Sequence, residues 1–283
     1  MSTPIASPSS RPFAAELAVA IEAVRAAAAI QVHHYERLEQ IVKKSAKDVV
    51  TEADHLSEEA IIATIGRAFP RDHVLAEESG HSAASAGQAP ADGSGAVAPV
   101  DADHRIWVVD PLDGTVNYAA GIPHFCTSVA LVVGGRPTVG AVMDPMRGEV
   151  FSAVLGQGAQ VDGQPVSAFR GDLVDSVISL ALPANGFARR ELAVRKAVRV
   201  PRSMGSAALG LVWVANGRFG AFIQLGGLSL WDIAAAGLIA EEGGASVTST
   251  DGGPWFDITK ATRATGMVAA PAPHHATLLG LLR

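Results

Sequence analysis

The stretch WVVDPLDGTVNY, residues 107–118, ends an apolar run with two acids only three positions apart. Its first residues have the composition of a buried strand. Pro111 cannot donate to a sheet ladder, so we expect the strand to end near Asp110. Asp110 and Asp113 could then both turn toward one point beyond the carboxyl end of the strand. Folds that alternate strands and helices place their sites at such strand ends.

Two carboxylates held close together repel each other unless a proton or a cation lies between them. Beyond them, Gly114 and Thr115 offer backbone N–H groups at a turn into a helix, where an anion such as phosphate is attracted. This combination predicts Mg²⁺-assisted phosphate chemistry, because Mg²⁺ binds through a few carboxylates, waters and substrate oxygens. The alternative interpretation is a turn in which Asp and Gly merely cap a helix.

Further acids stand at the ends of other predicted elements. AEESG places Glu77 and Glu78 after a short strand, HVLAE, and LWDIAAAG places Asp232 at a helix start. Each has a structural alternative, as surface acids for the first pair and as an N-terminal helix acid for Asp232. Together with Asp110 and Asp113 they supply enough carboxylates for two metal ions, and this coincidence favours a metal site.

Two other acidic motifs fit less well. An EF-hand loop needs acids or Asn at alternating positions and a late Glu, and residues 110–121 lack both. The haloacid-dehalogenase phosphatases separate their two Asp residues by one residue, whereas Pro111 and Leu112 both intervene here. A covalent aspartyl-phosphate route is therefore the alternative mechanism.

The composition bounds the class of protein. The 283 residues are 48% hydrophobic and 18% charged, which predicts a folded chain with an ample core. A net charge of −6 argues against nucleic acid as the main partner. Cys126 is the only cysteine, which excludes an internal disulfide, suits a reducing compartment and is read as a small buried hydrophobe.

No membrane or signal segment is predicted. The Ala-rich residues 13–32 are interrupted by Glu16, Glu22 and Arg25, which a membrane span or signal segment would not readily accept. We therefore expect a cytoplasmic protein without a membrane partner.

The first part of the chain is predicted to be largely helical. Residues 1–12 are rich in Ser and Pro and are expected to form a loose tail. Apolar residues recurring every three or four positions predict an amphipathic helix over 13–38. A second helix is predicted over 52–69, opened by a capping box of Thr51 and Asp54.

The remainder divides into three patterns. Residues 81–104 are Gly, Ala, Ser and Pro without a period and predict a flexible surface insertion, read as an inert loop in preference to a lid. After Tyr118, short apolar runs broken by turn sequences predict consecutive antiparallel strands. From Asp172 onward strands and helices alternate, with helices predicted near 206–216 and from 231 to the glycine pair at 243–244.

These motifs together resemble the inositol monophosphatase family, within the wider group of Mg²⁺-dependent, lithium-sensitive phosphatases. The resemblance spans roughly residues 12–283. Four segments carry it: KKSAKDVVTEAD (43–54), AEES (76–79), WVVDPLDGTVNYAAGIPHF (107–125) and WDIAAAGLIAEEGG (231–244).

The resemblance implies a fold that is α+β to α/β, a layered αβαβα sandwich. An antiparallel sheet is expected in an N-terminal half, residues 13–155, which carries most metal ligands. A mixed sheet is expected in a C-terminal half, residues 156–283, which carries the Trp231–Asp232 motif. The family also implies a homodimer.

The same resemblance assigns the metal ligands. Glu77, Asp110 and the carbonyl of Leu112 would bind one Mg²⁺. Asp110, Asp113 and Asp232 would bind a second, with Asp110 bridging the two ions. Two metals placed this way would clamp the attacking and leaving oxygens of an in-line displacement, so no protein nucleophile is needed.

Catalytic and outer residues follow from the family as well. Glu77 and Thr115 would orient the attacking water, and the N–H groups of Gly114 and Thr115 would hold the phosphate. Asp54 would lie in an outer shell or help to bind a third, weaker ion, and Lys43 would lie near the metals. The expected substrate contacts are Asp113, Gly114, Thr115, Gln224 and Asp232.

The chain departs from the family pattern in places that bear on the substrate. Ala76 replaces a frequent Gly before the metal-binding Glu. Gln224, in FIQLGGLSLWD, stands where inositol-handling members usually carry a Glu that contacts sugar hydroxyls. The insertion between Glu77 and Asp110 is also longer than usual. Readout of a polyol could survive these changes while selectivity moves.

The predicted function is a Mg²⁺-dependent phosphomonoesterase that acts on inositol-1-phosphate or a similar polyol phosphate. Histidinol phosphate, fructose bisphosphate and phosphoadenosine phosphates stay open as substrates. A different class is a regulatory protein that binds RNA or polymerase. This class is supported by a cluster of cations: Arg189, Arg190, Arg195, Lys196, Arg199 and Arg202. The alternative interpretation of the cluster is a solvated helix face or a basic rim that attracts anionic substrates.

Overall fold

The computed structural model describes residues 12–37, 41–45, 48–83, 104–182, 188–260, 263 and 265–282. Its helices are α1 (Ala14–His34), α2 (Glu52–Ala68), α3 (Thr115–Ala119), α4 (Ala188–Ala197), α5 (Ala207–Ala215), α6 (Leu230–Glu242) and α7 (Ala272–Leu281). Its first strands are β1 (Ile41–Ser45), β2 (Asp48–Thr51), β3 (His73–Ala76), β4 (Gly80–Ala83), β5 (Arg105–Asp113), β6 (Cys126–Val133), β7 (Arg136–Asp144) and β8 (Glu149–Val154). The remaining strands are β9 (Ala159–Val161), β10 (Gln164–Pro165), β11 (Val177–Ala181), β12 (Val200–Arg202), β13 (Ala221–Leu228), β14 (Ala245–Ser249) and β15 (Thr265–Pro271).

The predicted helices form with small changes at their ends. α1 ends at His34, before the predicted end at residue 38, because Tyr35 leaves the helical conformation. α2 begins after Thr51, and the predicted capping box forms, because Thr51 and Asp54 each accept or donate across the helix start. Residues 1–11 of the predicted tail and 84–103 of the predicted insertion lie outside the described residues. Among the described helices, none has the length and apolarity needed to cross a membrane.

The larger sheet has eight strands in the order β10-β9-β8-β7-β6-β5-β3-β4. Its pairs are antiparallel except for β3 with β5, which run parallel. The expected antiparallel sheet therefore contains one parallel pair, which makes it a mixed sheet. β3 lies between β4 and β5 in the sheet. β5 therefore lies on the other side of β3 from β4 and runs in the same direction as β3. β9 and β10 extend this sheet past residue 155, and the division into halves at that point stays a prediction.

The second sheet has five strands in the order β12-β11-β13-β15-β14. β11 pairs in parallel with β12 and β13, whereas β15 pairs antiparallel with β13 and β14. The predicted mixed sheet is confirmed.

Side-chain alternation along the strands separates three apolar layers. On β5, Trp107 and Val109 face α1 and α2, whereas Ile106 and Val108 face the space between the sheets. α5 and α6 fill that space and contact both sheets. α4 and α7 cover the other face of the second sheet. The order of layers is thus αβαβα, which confirms the predicted sandwich.

Candidate active site

A β-bulge brings the side chains of Asp110 and Asp113 to the same side of β5. Asp110 pairs with Ser128 on β6 and Asp113 pairs with Cys126, so three steps along β5 match two along β6. In a regular strand, residues three apart face opposite sides of the sheet, and one extra residue cancels that alternation. The strand therefore runs through Pro111 to Asp113 and does not end near Asp110, because the bulge accommodates a residue that cannot donate to the ladder.

Asp110 is buried and interacts electrostatically with four other carboxylates. Its Oδ1 accepts a hydrogen bond of 3.0 Å from the Leu112 N–H. Burial, together with the charges of neighbouring carboxylates, raises the pKa of Asp110 well above its usual range. We call this group the acidic cluster: Asp54, Glu77, Asp110, Asp113 and Asp232.

Asp113 is anchored to the start of α5. Its Oδ2 accepts hydrogen bonds from the Ser206 hydroxyl at 2.6 Å and from the Ala208 N–H at 2.7 Å. Burial raises the pKa of Asp113, and these bonds act in the opposite direction because they favour the charged form. Ser206 precedes the first residue of α5, so a carboxylate of the first sheet satisfies N–H groups at a helix start in the layer between the sheets.

Asp232 combines the two readings that the sequence left open. It forms a capping box at the start of α6, where its Oδ2 accepts a 2.7 Å hydrogen bond from the Ser229 N–H. It also belongs to the acidic cluster, because burial and the charge of Asp113 raise the pKa of Asp232 well above its usual range. Capping and membership of the cluster are therefore compatible.

The Thr115 hydroxyl links Asp54 to the bulge of β5. Its Oγ1 lies 3.1 Å from Asp54 Oδ1 and 2.9 Å from the Leu112 carbonyl, so its single proton can be donated to either oxygen. Asp54 is buried, and its Oδ2 accepts from the Thr51 N–H at 2.8 Å and the Thr51 hydroxyl at 2.6 Å. Burial raises the pKa of Asp54 above its usual value.

Gly114 joins β5 to α3 in a conformation that favours glycine. Its φ is 92°, in the left-handed region. A Cβ at this position would lie 3.1 Å from the His124 carbonyl oxygen. The glycine therefore permits both the turn and the close approach of residues 124–125.

Glu58 supports the segment that carries Glu77, and sequence reasoning missed it. Glu77 directly follows β3, and its N–H donates to the Val109 carbonyl at 3.2 Å. The Glu58 carboxylate is buried and accepts from the N–H groups of Glu78 and Ser79, each at 2.9 Å. The available signal was an acid four residues after Asp54, on the core-facing side of α2.

The described contacts do not test the roles predicted for Gln224 and Lys43. The Gln224 amide donates to the Gly226 carbonyl at 3.2 Å, within its own segment. Its role in binding substrate stays a prediction. Lys43 belongs to β1, and its side chain lies outside the described residues.

His124 and Cys126 occupy packed environments near the site. The His124 ring is buried edge-on against Trp213, with centroids 5.2 Å apart, and burial lowers the pKa of His124 to about 4. Cys126 Sγ is buried 3.7 Å from both Asp113 Oδ2 and Ser206 Oγ, and burial raises the pKa of its thiol well above the usual range.

The donors of the acidic cluster suit a hard divalent cation. Its side chains are all carboxylates, and oxygen ligands are those that Mg²⁺ prefers. A cation would offset the repulsion that raises the pKa values of Asp110 and Asp232. Among the described residues, no three His, Cys, Asp or Glu side chains stand as a ready-made ligand group, so the fit rests on donor type and shared electrostatics.

A layered αβαβα sandwich with this carboxylate-rich site is the arrangement that the resemblance implied. Residues 14–283 match the family model described as "Inositol monophosphatase family", and the chain belongs to that family.

Relatives and solved structures agree with this assignment. The chain is 38% identical over 247 residues to Nus factor SuhB of Pasteurella multocida, covering 84% of this chain and 86% of that protein. It is 33% identical over 270 residues to Inositol monophosphatase 1 of Solanum lycopersicum, covering 91% and 90%. The crystal structure of extragenic suppressor protein suhB from Bartonella henselae matches with a TM-score of 0.81 at 29% identity, covering 95% and 98%.

Proposed function

We propose that the chain is a Mg²⁺-dependent phosphomonoesterase that hydrolyses a small polyol phosphate, with inositol-1-phosphate as the leading substrate. The observation that carries this proposal is that the buried Asp110 lies within the electrostatic influence of four other carboxylates. Membership of the inositol monophosphatase family supports the same activity. One of the similar proteins carries the name Inositol monophosphatase 1.

The proposed ligands divide between two ions. Glu77, Asp110 and the Leu112 carbonyl would hold the first, and Asp110, Asp113 and Asp232 would hold the second. When bound, such ions lower the pKa of a coordinated water and neutralise charge on the phosphate. A third ion near Asp54 stays open.

The protein's own groups would orient the reactants. Glu77 and the Thr115 hydroxyl would position the attacking water, and Asp54 would support Thr115 through their shared hydrogen bond. The N–H groups of Gly114 and Thr115, at the turn into α3, would bind phosphate oxygens. This arrangement assigns no covalent role to a side chain.

The substrate's alcohol portion is the part least determined by the site. Asp113, Asp232 and the Gln224 amide are the proposed contacts for its hydroxyl groups. An amide both donates and accepts hydrogen bonds, whereas an ionised Glu only accepts them. Because of Gln224, three other substrates stay open beside inositol-1-phosphate: histidinol phosphate, fructose bisphosphate and phosphoadenosine phosphates.

Phosphate release from a panel of these four compounds, with and without Mg²⁺, tests the proposal. We expect Mg²⁺-dependent turnover that Asp110→Asn abolishes. Glu22→Gln is the control, because Glu22 is an exposed acid paired with Arg67 and remote from the cluster in its contacts. Absence of turnover for every compound in the folded, Mg²⁺-saturated wild type would contradict the proposed activity.

A regulatory role is the second candidate, supported by the name Nus factor SuhB of several relatives and by the surface of α4. This helix exposes several cations around Leu192, which is 53% exposed. Arg195 forms an ion pair with Glu191 on α4, and Arg199, which follows α4, forms one with Asp175. Salt-dependent binding of RNA, weakened by a Lys196→Glu change that leaves hydrolysis intact, would support this role.

A further inference from the structure

We propose that Gln31, on α1, is a positioning residue that holds the bulge of β5 and thereby sets the affinity of the acidic cluster for Mg²⁺. The inference rests on the proposed metal site. Metal binding and activity are both measured in its test.

The bulge removes Pro111 and Leu112 from the regular pairing between β5 and β6. The Pro111 carbonyl instead accepts a hydrogen bond of 2.6 Å from the Gln31 side-chain amide. It also accepts one of 3.1 Å from the Thr127 hydroxyl, which in turn accepts from the same Gln31 amide at 2.7 Å. Gln31, Thr127 and Pro111 thus form a closed triangle of hydrogen bonds at the bulge.

Gln31 also fixes the far end of the segment that carries the acids. Its backbone carbonyl lies in the last turn of α1, where carbonyl groups have no partner within the helix. The Tyr118 hydroxyl donates to this carbonyl at 2.7 Å. Tyr118 belongs to α3, and Pro111 lies between Asp110 and Leu112. One residue of α1 therefore holds the chain on both sides of Asp113 and Thr115.

Gln31 is a polar residue at a fully buried position of α1. Its side chain is 0% exposed, and among the described residues its Oε1 has no hydrogen-bond partner. A buried amide oxygen without a partner destabilises a fold, and neighbouring core positions of α1 are Ala and Val. The two donated hydrogen bonds of the amide nitrogen, both directed at the bulge, offset that cost.

Loss of the amide would leave Thr127 as the single donor to the Pro111 carbonyl among the described contacts. The bulge would then relax, and the relative placement of Asp110 and Asp113 would change, because the bulge is what aligns them. Groups that orient metal ligands without touching the metal typically change metal affinity or activity by 10–100-fold when they are mutated.

The test compares variants at the triangle with a matched variant on the same helix. Gln31→Leu removes the amide at nearly constant volume, and Thr127→Val removes the hydroxyl that shares the carbonyl. Val24→Ala is the control, because Val24 is fully buried in the apolar layer under α1 and makes no hydrogen bond to the bulge through its side chain. For each protein, the Mg²⁺ concentration at half-effect is measured twice, from the rise in melting temperature and from phosphate release.

We expect Gln31→Leu to raise the half-effect Mg²⁺ concentration about 10-fold in both measurements, and Thr127→Val to raise it in the same direction. Activity at saturating Mg²⁺ should largely recover. Val24→Ala should lower the melting temperature without Mg²⁺ and leave the half-effect concentration unchanged.

An unchanged half-effect concentration in Gln31→Leu, with a loss of melting temperature like that of Val24→Ala, would overturn the inference. A wild type that Mg²⁺ stabilises but that hydrolyses no phosphate ester would contradict the proposed function alone, and the thermal measurement would still decide the role of Gln31. A wild type that Mg²⁺ neither stabilises nor activates would overturn both.

Discussion

The Ser206 hydroxyl lies 2.6 Å from Asp113 Oδ2 and joins a strand end of the first sheet to the start of a helix between the sheets. The Ala208 N–H adds a second bond to the same oxygen at 2.7 Å. Asp113 therefore has two partners at the start of α5 and faces the acidic cluster at the same time. Its position depends on how the layers pack and cannot be read from residues 107–118 alone.

Replacing Ser206 should weaken both the packing of the layers and the site. Ser206→Ala removes a buried hydrogen bond to a carboxylate, and we expect the free energy of unfolding to fall by about 2 kcal/mol. The Mg²⁺ requirement should rise, because the pKa of Asp113 loses an interaction that lowers it. Urea unfolding and Mg²⁺ titration measure the two effects. Ser203→Ala, at an exposed position, should change neither, and equal behaviour of the two variants would argue against the role of Ser206.

The carboxylate of Glu58 should prove necessary for the segment that carries Glu77. Glu58→Gln replaces one of two accepting oxygens with an NH₂ group that would face a backbone N–H. We expect a loss of about 1–3 kcal/mol in unfolding free energy and a higher half-effect Mg²⁺ concentration. Glu59→Gln is the control, because Glu59 is adjacent and exposed. A normal Mg²⁺ response in Glu58→Gln would show that Glu77 keeps its place without this support.

Substitution of Gly114 should lower the free energy of unfolding by more than its backbone conformation alone explains. Gly114 and Gly148 both have positive φ values, 92° and 70°, but a Cβ has no neighbour within 4 Å at Gly148. Gly148→Ala should destabilise by about 1 kcal/mol, from the strained conformation alone. Gly114→Ala should destabilise further and reduce hydrolysis, because the new methyl group meets the His124 carbonyl. Matched urea curves and initial rates measure the difference, and equal losses would exclude the contact as a cause.

Acid should destabilise the fold through His124. Burial, with the nearby charge of Arg147, lowers the pKa of His124 from 6.5 to about 4 in the folded protein. The unfolded chain therefore binds this proton first, so the stabilisation is complete above pH 6.5 and is lost as the pH falls toward 4. The loss attributable to this ring reaches about 3 kcal/mol at pH 4.

His124→Phe should flatten this part of the pH profile. Neither ring nitrogen has a hydrogen-bond partner among the described residues, so phenylalanine forfeits no such bond and keeps the edge-on contact with Trp213. Urea unfolding at several values between pH 4 and 7 gives the slope. His33→Gln, at an exposed site, should retain the wild-type slope. An unchanged slope in His124→Phe would assign the acid sensitivity to other groups.

The sequence by itself determined the layers and the chemistry of the site. Alternation on β5 separates Trp107 and Val109 from Ile106 and Val108, and this pattern depends only on the two-residue repeat of a strand. The capping box of Thr51 and Asp54 is equally local, since its partners lie three residues apart. Acids at the ends of strands and helices indicated carboxylate ligands for a metal ion, because the donor atoms belong to the residue itself.

The tertiary structure alone decided how these acids are aligned and held. The bulge that turns Asp110 and Asp113 to one side is defined by the pairing with β6, and a one-residue change of register would reverse it. The supports at Gln31 and Ser206 act on residues 80 and 93 positions away in the chain. Local sequence patterns extend over a few residues, whereas these hydrogen bonds form only after the helices and sheets have packed.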